Sequence, residues 1–295
     1  MTRTIPAAKP HSAFGAPFAA LVAGSMAMGI SPIFVRLADV GPFASAFWRV
    51  ALALPALYAW ARLTDAADAP PARRFVRATI LAGLAFSGDL FFWHLSIVST
   101  SVANATFFAT TAPIWVVLFG WLILGERAEW KTLAGLACCI LGGGALLAQS
   151  FHLRPAGVIG DLYGLATGVF FGLYFLAVKS ARRSATAARV TLEATIITAA
   201  ILLVVALGLE GSILPHSVKG VAALLAMAWI SHAGGQGLLS VALGRLPAAF
   251  SSLVIFLEAI AAATFAFVLL GEPVSLVQAL GGVLILLGIY VARPA

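Results

Sequence analysis

The sequence predicts an all-α integral membrane protein, with ten transmembrane helices in two inverted five-helix repeats around a central cavity. Three observations predict it. First, the 295 residues are 62% hydrophobic and only 10% charged, with a mean hydropathy of +1.04. A soluble domain carries about 25% charged residues, so lipid must be the solvent. Second, the stretch Leu95–Leu147 is written twice. Displaced by 146 positions, Leu124, Gly125, Glu126, Gly135, Leu141 and Gly142 fall on Leu270, Gly271, Glu272, Gly281, Leu287 and Gly288, without a gap. Third, Lys and Arg collect on one side of the apolar runs. No strand-length alternation interrupts these runs, and helices satisfy their own backbone groups in lipid.

Residues 1–15 form a polar arm. The run from about Pro17 to Leu37 is long enough to span and too long for a signal-peptide core, so it is expected to be retained as helix 1. Nine further spans follow at approximately 44–63, 75–95, 103–124, 131–149, 157–179, 190–209, 219–240, 248–270 and 275–292. With the N-terminus in the cytoplasm, every Lys and Arg falls on the cytoplasmic side except Arg36, Arg49, Arg154 and Lys219. Both termini are then cytoplasmic. Five spans per repeat turn the second copy over, which makes the Gly125-Glu126 turn cytoplasmic and the Gly271-Glu272 turn external. Gly29 and Arg36 also match Gly172 and Lys179, displaced by 143. The repeats are assigned to 1–150 and 151–295, with the junction near Gln149–Gly157.

The net charge of +7 does not signal nucleic acid, because the cations sit at span ends and not on one polar face. Cys138 and Cys139 are adjacent and mid-helix, so they read as packing residues and not as a disulfide or metal site. Glu126 and Glu272 each precede a helix, where a carboxylate meets unpaired N–H groups. They read as helix-start turns, with gating or proton binding as the functional alternative. Gly160, Gly164, Gly168 and Gly172 form one smooth ridge on helix 6, echoed by Ala16, Ala20 and Gly24 on helix 1. Such ridges serve tight packing, a sliding contact, or both. Pro32, Pro55 and Pro113 lie within spans and read as kinks that permit rocking or as fixed bends.

Polar residues inside spans carry the functional signal, because an ionisable group in hydrocarbon costs at least about 2.5 kcal/mol and faces the protein interior or water. Helix 3 sets Phe86, Asp89 and Trp93 on one face, with His94 near its end; helix 4 sets Asn104, Phe108, Thr111 and Trp115. Helix 6 aligns Tyr163, Thr167, Phe170 and Tyr174, helix 8 aligns Trp229, His232, Gln236 and Ser240, and helix 9 carries Ser251, Ser252 and Glu258. Together they describe an aromatic-walled cavity with a few hydrogen-bonding groups, suited to a small amphipathic solute. Each residue also has a structural reading as packing or internal hydrogen bonding. Tyr58, Trp60, Trp121 and Trp130 read as interfacial anchors. No phosphate-binding loop, paired-His metal signature or arginine ladder is written in the chain. No cofactor or metal is expected, and the chain is not read as an enzyme.

The segment "LSIVSTSVANATFFATTAPIWVVLFGWLILGERAEWKTLAGLACCILGG" resembles the EamA-type domain of the drug/metabolite transporter superfamily. "VALGRLPAAFSSLVIFLEAIAAATFAFVLLGEPVSLVQALGGVLILLGIYV" resembles its second copy, and "SPIFVRLADVGPFASAFWRVALALP" extends the likeness over nearly the whole chain. One departure is Ala259, which stands where the family pattern has proline after Glu258; Pro113 holds the matching place in the first half. A common bend in the two halves therefore does not follow from the resemblance. The resemblance implies alternating access around a cavity lined by helices 1, 3, 4, 6, 8 and 9. Within the family the chain is most similar to YddG-type amino-acid exporters.

The expectation is a bacterial inner-membrane carrier that exports amino acids, aromatic ones included. Phe86, Trp93, Phe108, Tyr163 and Tyr174 would meet the side chain of the solute. Gln236, His232, Thr111 and Asn104 would meet its amino and carboxylate groups, and Asp89 or Glu258 would carry a proton if transport is coupled. The only partners expected are a small solute and the bilayer, with a monomer as the plausible state. The rival readings are a carrier of another metabolite or a cationic drug, and a membrane-embedded lipid enzyme. The enzyme reading needs a reactive cluster that the isolated Asp89 and Glu258 do not suggest.

Overall fold

The computed structural model describes residues 10–68, 75–100, 102–124, 127–147, 157–270 and 274–294, and all regular structure among them is helical. Both Gly-Glu turns and the junction between the sequence repeats lie outside the described residues. Among the described residues, seven runs are long and apolar enough to cross a bilayer: Phe14–Val35, Pro42–Thr64, Arg77–Ser99, Asn104–Leu122, Val158–Ala181, Ala187–Leu209 and Ala248–Phe265. Trp130–Leu146 and Leu276–Val291 are shorter apolar helices.

Several runs are built from two helices, and the breaks have local causes. The first is α1 (Pro10–Gly29) followed by α2 (Ser31–Leu37); the second is α3 (Pro42–Ala51) followed by α4 (Leu54–Asp68). After α5 (Arg77–Ser99), the fourth run is α6 (Val102–Ala109) and α7 (Ala112–Leu124). Pro32, Pro55 and Pro113 each fall in the first turn of the later helix, where a missing N–H costs no helical bond. The run Ala248–Phe265 breaks between α13 (Ala248–Val254) and α14 (Leu257–Leu270) without any proline. There the chain tightens to i→i−3 bonds, with Phe256 N–H donating to Leu253 O at 3.1 Å and Ala259 N–H to Phe256 O at 3.1 Å. The first-half break does the same, with Thr111 N–H donating to Phe108 O at 3.1 Å. Both halves thus break at corresponding places, although only one carries proline.

The remaining elements are α8 (Trp130–Leu147), α9 (Val158–Ala181), α10 (Ala187–Leu209), α11 (Val218–Ala226), a π-helical stretch Met227–Gln236, α12 (Gly237–Leu243) and α15 (Leu276–Val291). The expected helix at 219–240 is therefore one continuous run whose middle is π-helical.

Close approaches at glycine hold these helices together. Helices α8 and α15 cross antiparallel: a Cβ on Gly142 would lie 2.6 Å from Gly281 O, and one on Gly288 would lie 2.6 Å from Gly135 O. Between these contacts, Cys139 Sγ sits 3.6 Å from Ile285 O. These two residues are themselves 146 apart, so repeat-related positions meet at the crossing. The second approach is the glycine ridge of α9. Gly164 faces Phe108, Gly168 faces Thr111 and the Phe108 carbonyl, and Gly172 faces Trp115 and the Ala112 carbonyl. By contrast, α1 packs on later helices, with Gly24 against Gly235 O and Gly29 against Glu258 O. Each half thus lends its opening helix to the other.

Replacing Gly142 by Val drives a branched side chain into the opposite backbone, which cannot rotate away. Overpacking of this kind costs about 1–3 kcal/mol. A melt in detergent is expected to show Gly142→Val several degrees below wild type. Gly208→Ala, where a Cβ meets nothing within 4 Å, should melt with the wild type.

Candidate functional site

A cavity opens between the elements of the two halves. Five aromatic side chains stand in its walls: Phe86 and Trp93 from α5, Phe171 and Phe175 from α9, and Phe256 from the α13–α14 break. Its polar lining includes Ser31, Arg49, Asp89, Thr110, Gln236 and Glu258.

Arg49 is the residue that the sequence reading placed wrongly in space. Counted with the external cations, it is only 7% exposed and lies inside α3. Two contacts at the start of α3 set its depth. Glu210 receives the N–H of Phe43 at 2.7 Å and of Ala44 at 2.9 Å, one on each carboxylate oxygen. The helix therefore begins on a carboxylate that binds its unpaired donors and favours its positive end. Trp48 Nε1 donates to Ile213 O at 2.5 Å, and Trp229 Nε1 donates to Leu52 O at 3.0 Å, which holds the other end. The available signal was position: Arg49 stands well inside an apolar span, three residues after the buried Ala46.

The structure brings Phe86, Asp89, Trp93, Gln236 and Glu258 to this cavity. Phe86 rests on Tyr174 at 4.8 Å and on His232 at 5.4 Å, which stand behind it. His232 Nε2 and Thr195 Oγ1 are 2.9 Å apart, a bond whose direction depends on the tautomer. Tyr163 packs against Phe92, with ring centroids 6.0 Å apart. Asn104 Nδ2 donates to Asp161 Oδ1 at 2.9 Å, tying the start of α6 to the start of α9. Thr111 Oγ1 donates to Phe108 O at 2.6 Å and accepts from Trp115 Nε1 at 3.3 Å. Asn104, Phe108, Thr111, Tyr163, Tyr174 and His232 are not among the cavity-lining residues.

The physical reason lies in the glycine ridge. The row Phe108, Thr111, Trp115 is the one that Gly164, Gly168 and Gly172 receive, so α6 and α7 turn Thr106, Thr110 and Pro113 to the cavity. On α9 the lining face is Thr167, Phe171 and Phe175, one residue on from Phe170 and Tyr174. Phe170 stacks on Phe92 at 5.4 Å instead. In the π stretch the i→i+5 pattern widens each turn. His232 faces α10 there, Gln236 faces the cavity, and Trp229 is exposed.

Polar atoms in the cavity wall are left open. Gln236 Nε2 meets only the soft Met28 Sδ at 3.3 Å, and Gln236 Oε1 has no partner. Ser31 Oγ and Arg49 Nε also have none. Buried polar atoms are nearly always hydrogen-bonded, so several unpaired ones around one cavity make it the candidate site of this structure. No group of three His, Cys, Asp or Glu among the described residues is arranged to hold a metal.

The EamA-like transporter family model matches residues 15–147 and 158–293. The chain belongs to this family. Among relatives of this EamA-like chain, one named an uncharacterized transporter from Archaeoglobus fulgidus is 26% identical over 290 residues, covering 93% of this chain and 95% of the relative. A second from the same organism is 24% identical over 264 residues, covering 88% and 90%. A third, from Methanothermobacter thermautotrophicus, is 24% identical over 204 residues, covering 65% of this chain and 57% of the relative. A protein crystal structure matches with a TM-score of 0.80 over 97% of this chain and 98% of that one, at 21% identity, which speaks to the fold alone. The protein is a multi-pass membrane transporter of the EamA-like family.

Glu210→Ala removes the acceptor for two N–H groups at the start of α3. Loss of a helix cap costs about 0.5–2 kcal/mol. The variant is expected to melt below wild type in detergent, with Glu210→Gln between the two.

Proposed function

We propose that this transporter exports amino acids, aromatic ones included, across a bacterial inner membrane by alternating access, as the YddG-type exporters it resembles do. In this reading the chain makes ten crossings in two inverted repeats, 1–150 and 151–295, with both termini cytoplasmic. The seven long runs, the two shorter apolar helices and the continuous run Val218–Leu243 supply the ten. The antiparallel crossing of α8 and α15 at repeat-related positions supports the inversion.

The observation that carries the reading is the cavity: aromatic walls beside buried, unpaired hydrogen-bonding atoms, at the meeting of the two halves. Phe86, Trp93, Phe171 and Phe256 would take an apolar side chain, and Gln236 and Ser31 would orient its polar end. Alternation then moves α9, which packs on α5–α7, relative to α12 and α13. Lys179 Nζ donates to Leu246 O at 2.8 Å, and Arg182 Nε donates to Ser240 O at 2.9 Å. These bonds close one end of the bundle and would part in the other state. A cationic drug is the second reading, favoured by two carboxylates, Asp89 and Glu258, against one guanidinium in the cavity wall.

Purified protein in liposomes loaded with mixed amino acids is expected to release a subset faster than protein-free liposomes, with saturable kinetics. Trp93→Ala and Gln236→Ala should each raise KM about tenfold, the loss of roughly 1.4 kcal/mol. Efflux of no amino acid from vesicles holding folded protein would reject the reading, and release of loaded organic cations would install the second one.

A further inference from the structure

Among the described residues that line the cavity, Arg49 carries the single guanidinium. The Arg49 side chain makes no hydrogen bond or ion pair with any described residue, and its Nε is buried and unpartnered. The Asp89 and Glu258 side chains line the same cavity as Arg49, and neither carboxyl bonds to a described residue. Taking a charge out of water costs several kcal/mol, which a protein ordinarily offsets with a paired partner. Three ionisable groups around one cavity, none bonded to another, instead form a site arranged for a ligand that carries both signs.

We infer that Arg49 receives the carboxylate of the solute while Asp89 or Glu258 receives its ammonium group, so that the carrier selects zwitterions. This rests on the amino-acid reading and adds to it a residue and a rule of selection. The guanidinium fork matches a carboxylate in two parallel bonds, which an ammonium side chain does not provide. An amine without a carboxylate leaves Arg49 buried and unpaired. A carboxylic acid without an amine leaves both acidic residues unanswered. The aromatic walls lie beside these charges, so an apolar amino-acid side chain has its own place in the same cavity.

The test uses the full chain in liposomes and three probes of one shape: phenylalanine, phenethylamine and 3-phenylpropanoate. Phenylalanine exchange is measured, with the other two as inhibitors. In the wild type, both inhibitors are expected to act at least tenfold more weakly than unlabelled phenylalanine. In Arg49→Gln, the phenylalanine KM should rise tenfold or more while phenethylamine inhibits within twofold of its wild-type value or better. A merely structural role for Arg49 predicts that both probes weaken together, and an unchanged ratio in a folded variant overturns the inference while the amino-acid reading stands. Should Arg49→Gln not fold, Arg49→Lys serves. It keeps the charge and loses the fork, and phenylalanine should weaken more than phenethylamine. A wild-type protein that exchanges no amino acid overturns both readings.

Discussion

Helices in lipid gain little from hiding apolar surface against each other, because the solvent is as apolar as they are. What assembles this protein is close backbone approach at glycine. The ridge Gly160, Gly164, Gly168, Gly172 accepts the row that runs from Thr100 through Phe108 and Thr111 to Trp115, and the α8–α15 crossing brings backbone against backbone at two glycine pairs. The position of the cavity follows. Once α9 has claimed that row, the other faces of α6 and α7 are left to line the open space, and Thr106, Thr110 and Pro113 are the residues found there.

A second constraint is the treatment of charge. Arg49 sits within a helix whose start is bound by Glu210 and whose flanks are held by Trp48 and Trp229. A helix so held cannot easily turn its guanidinium to water, and no described residue neutralises it by direct contact. The same economy is visible at Gln236, whose amide meets a thioether on one side and nothing on the other. The opposite treatment appears at Asn104, Thr100 and Asp161, where three polar groups answer one another and join two helix starts.

Much of the architecture was legible from the chain alone. Composition placed it in lipid, hydropathy marked the runs, and the 146-residue repeat anticipated that α8 and α15 would carry matching glycines. The break in α13–α14 was not legible. Proline predicts a break by removing a donor, and Ala259 removes none; the second half breaks through i→i−3 bonds instead. Among the candidate site residues, Asp89, Trp93 and Gln236 stood out because polar and aromatic groups in a span are costly unless they face something.

Sequence by itself determined the helical class, the membrane solvent, the duplication and the kinds of side chain available, since each follows from local chemistry and period. Only the tertiary structure decided which face of each helix meets the cavity. That choice depends on which neighbour takes the opposite face, and helical spacing carries no information about the neighbour. Hence Thr111 and Phe108 went to a glycine ridge, His232 went to Thr195 through a π turn, and Arg49, written like an anchor at a membrane surface, was carried inside by the helix that Glu210 caps.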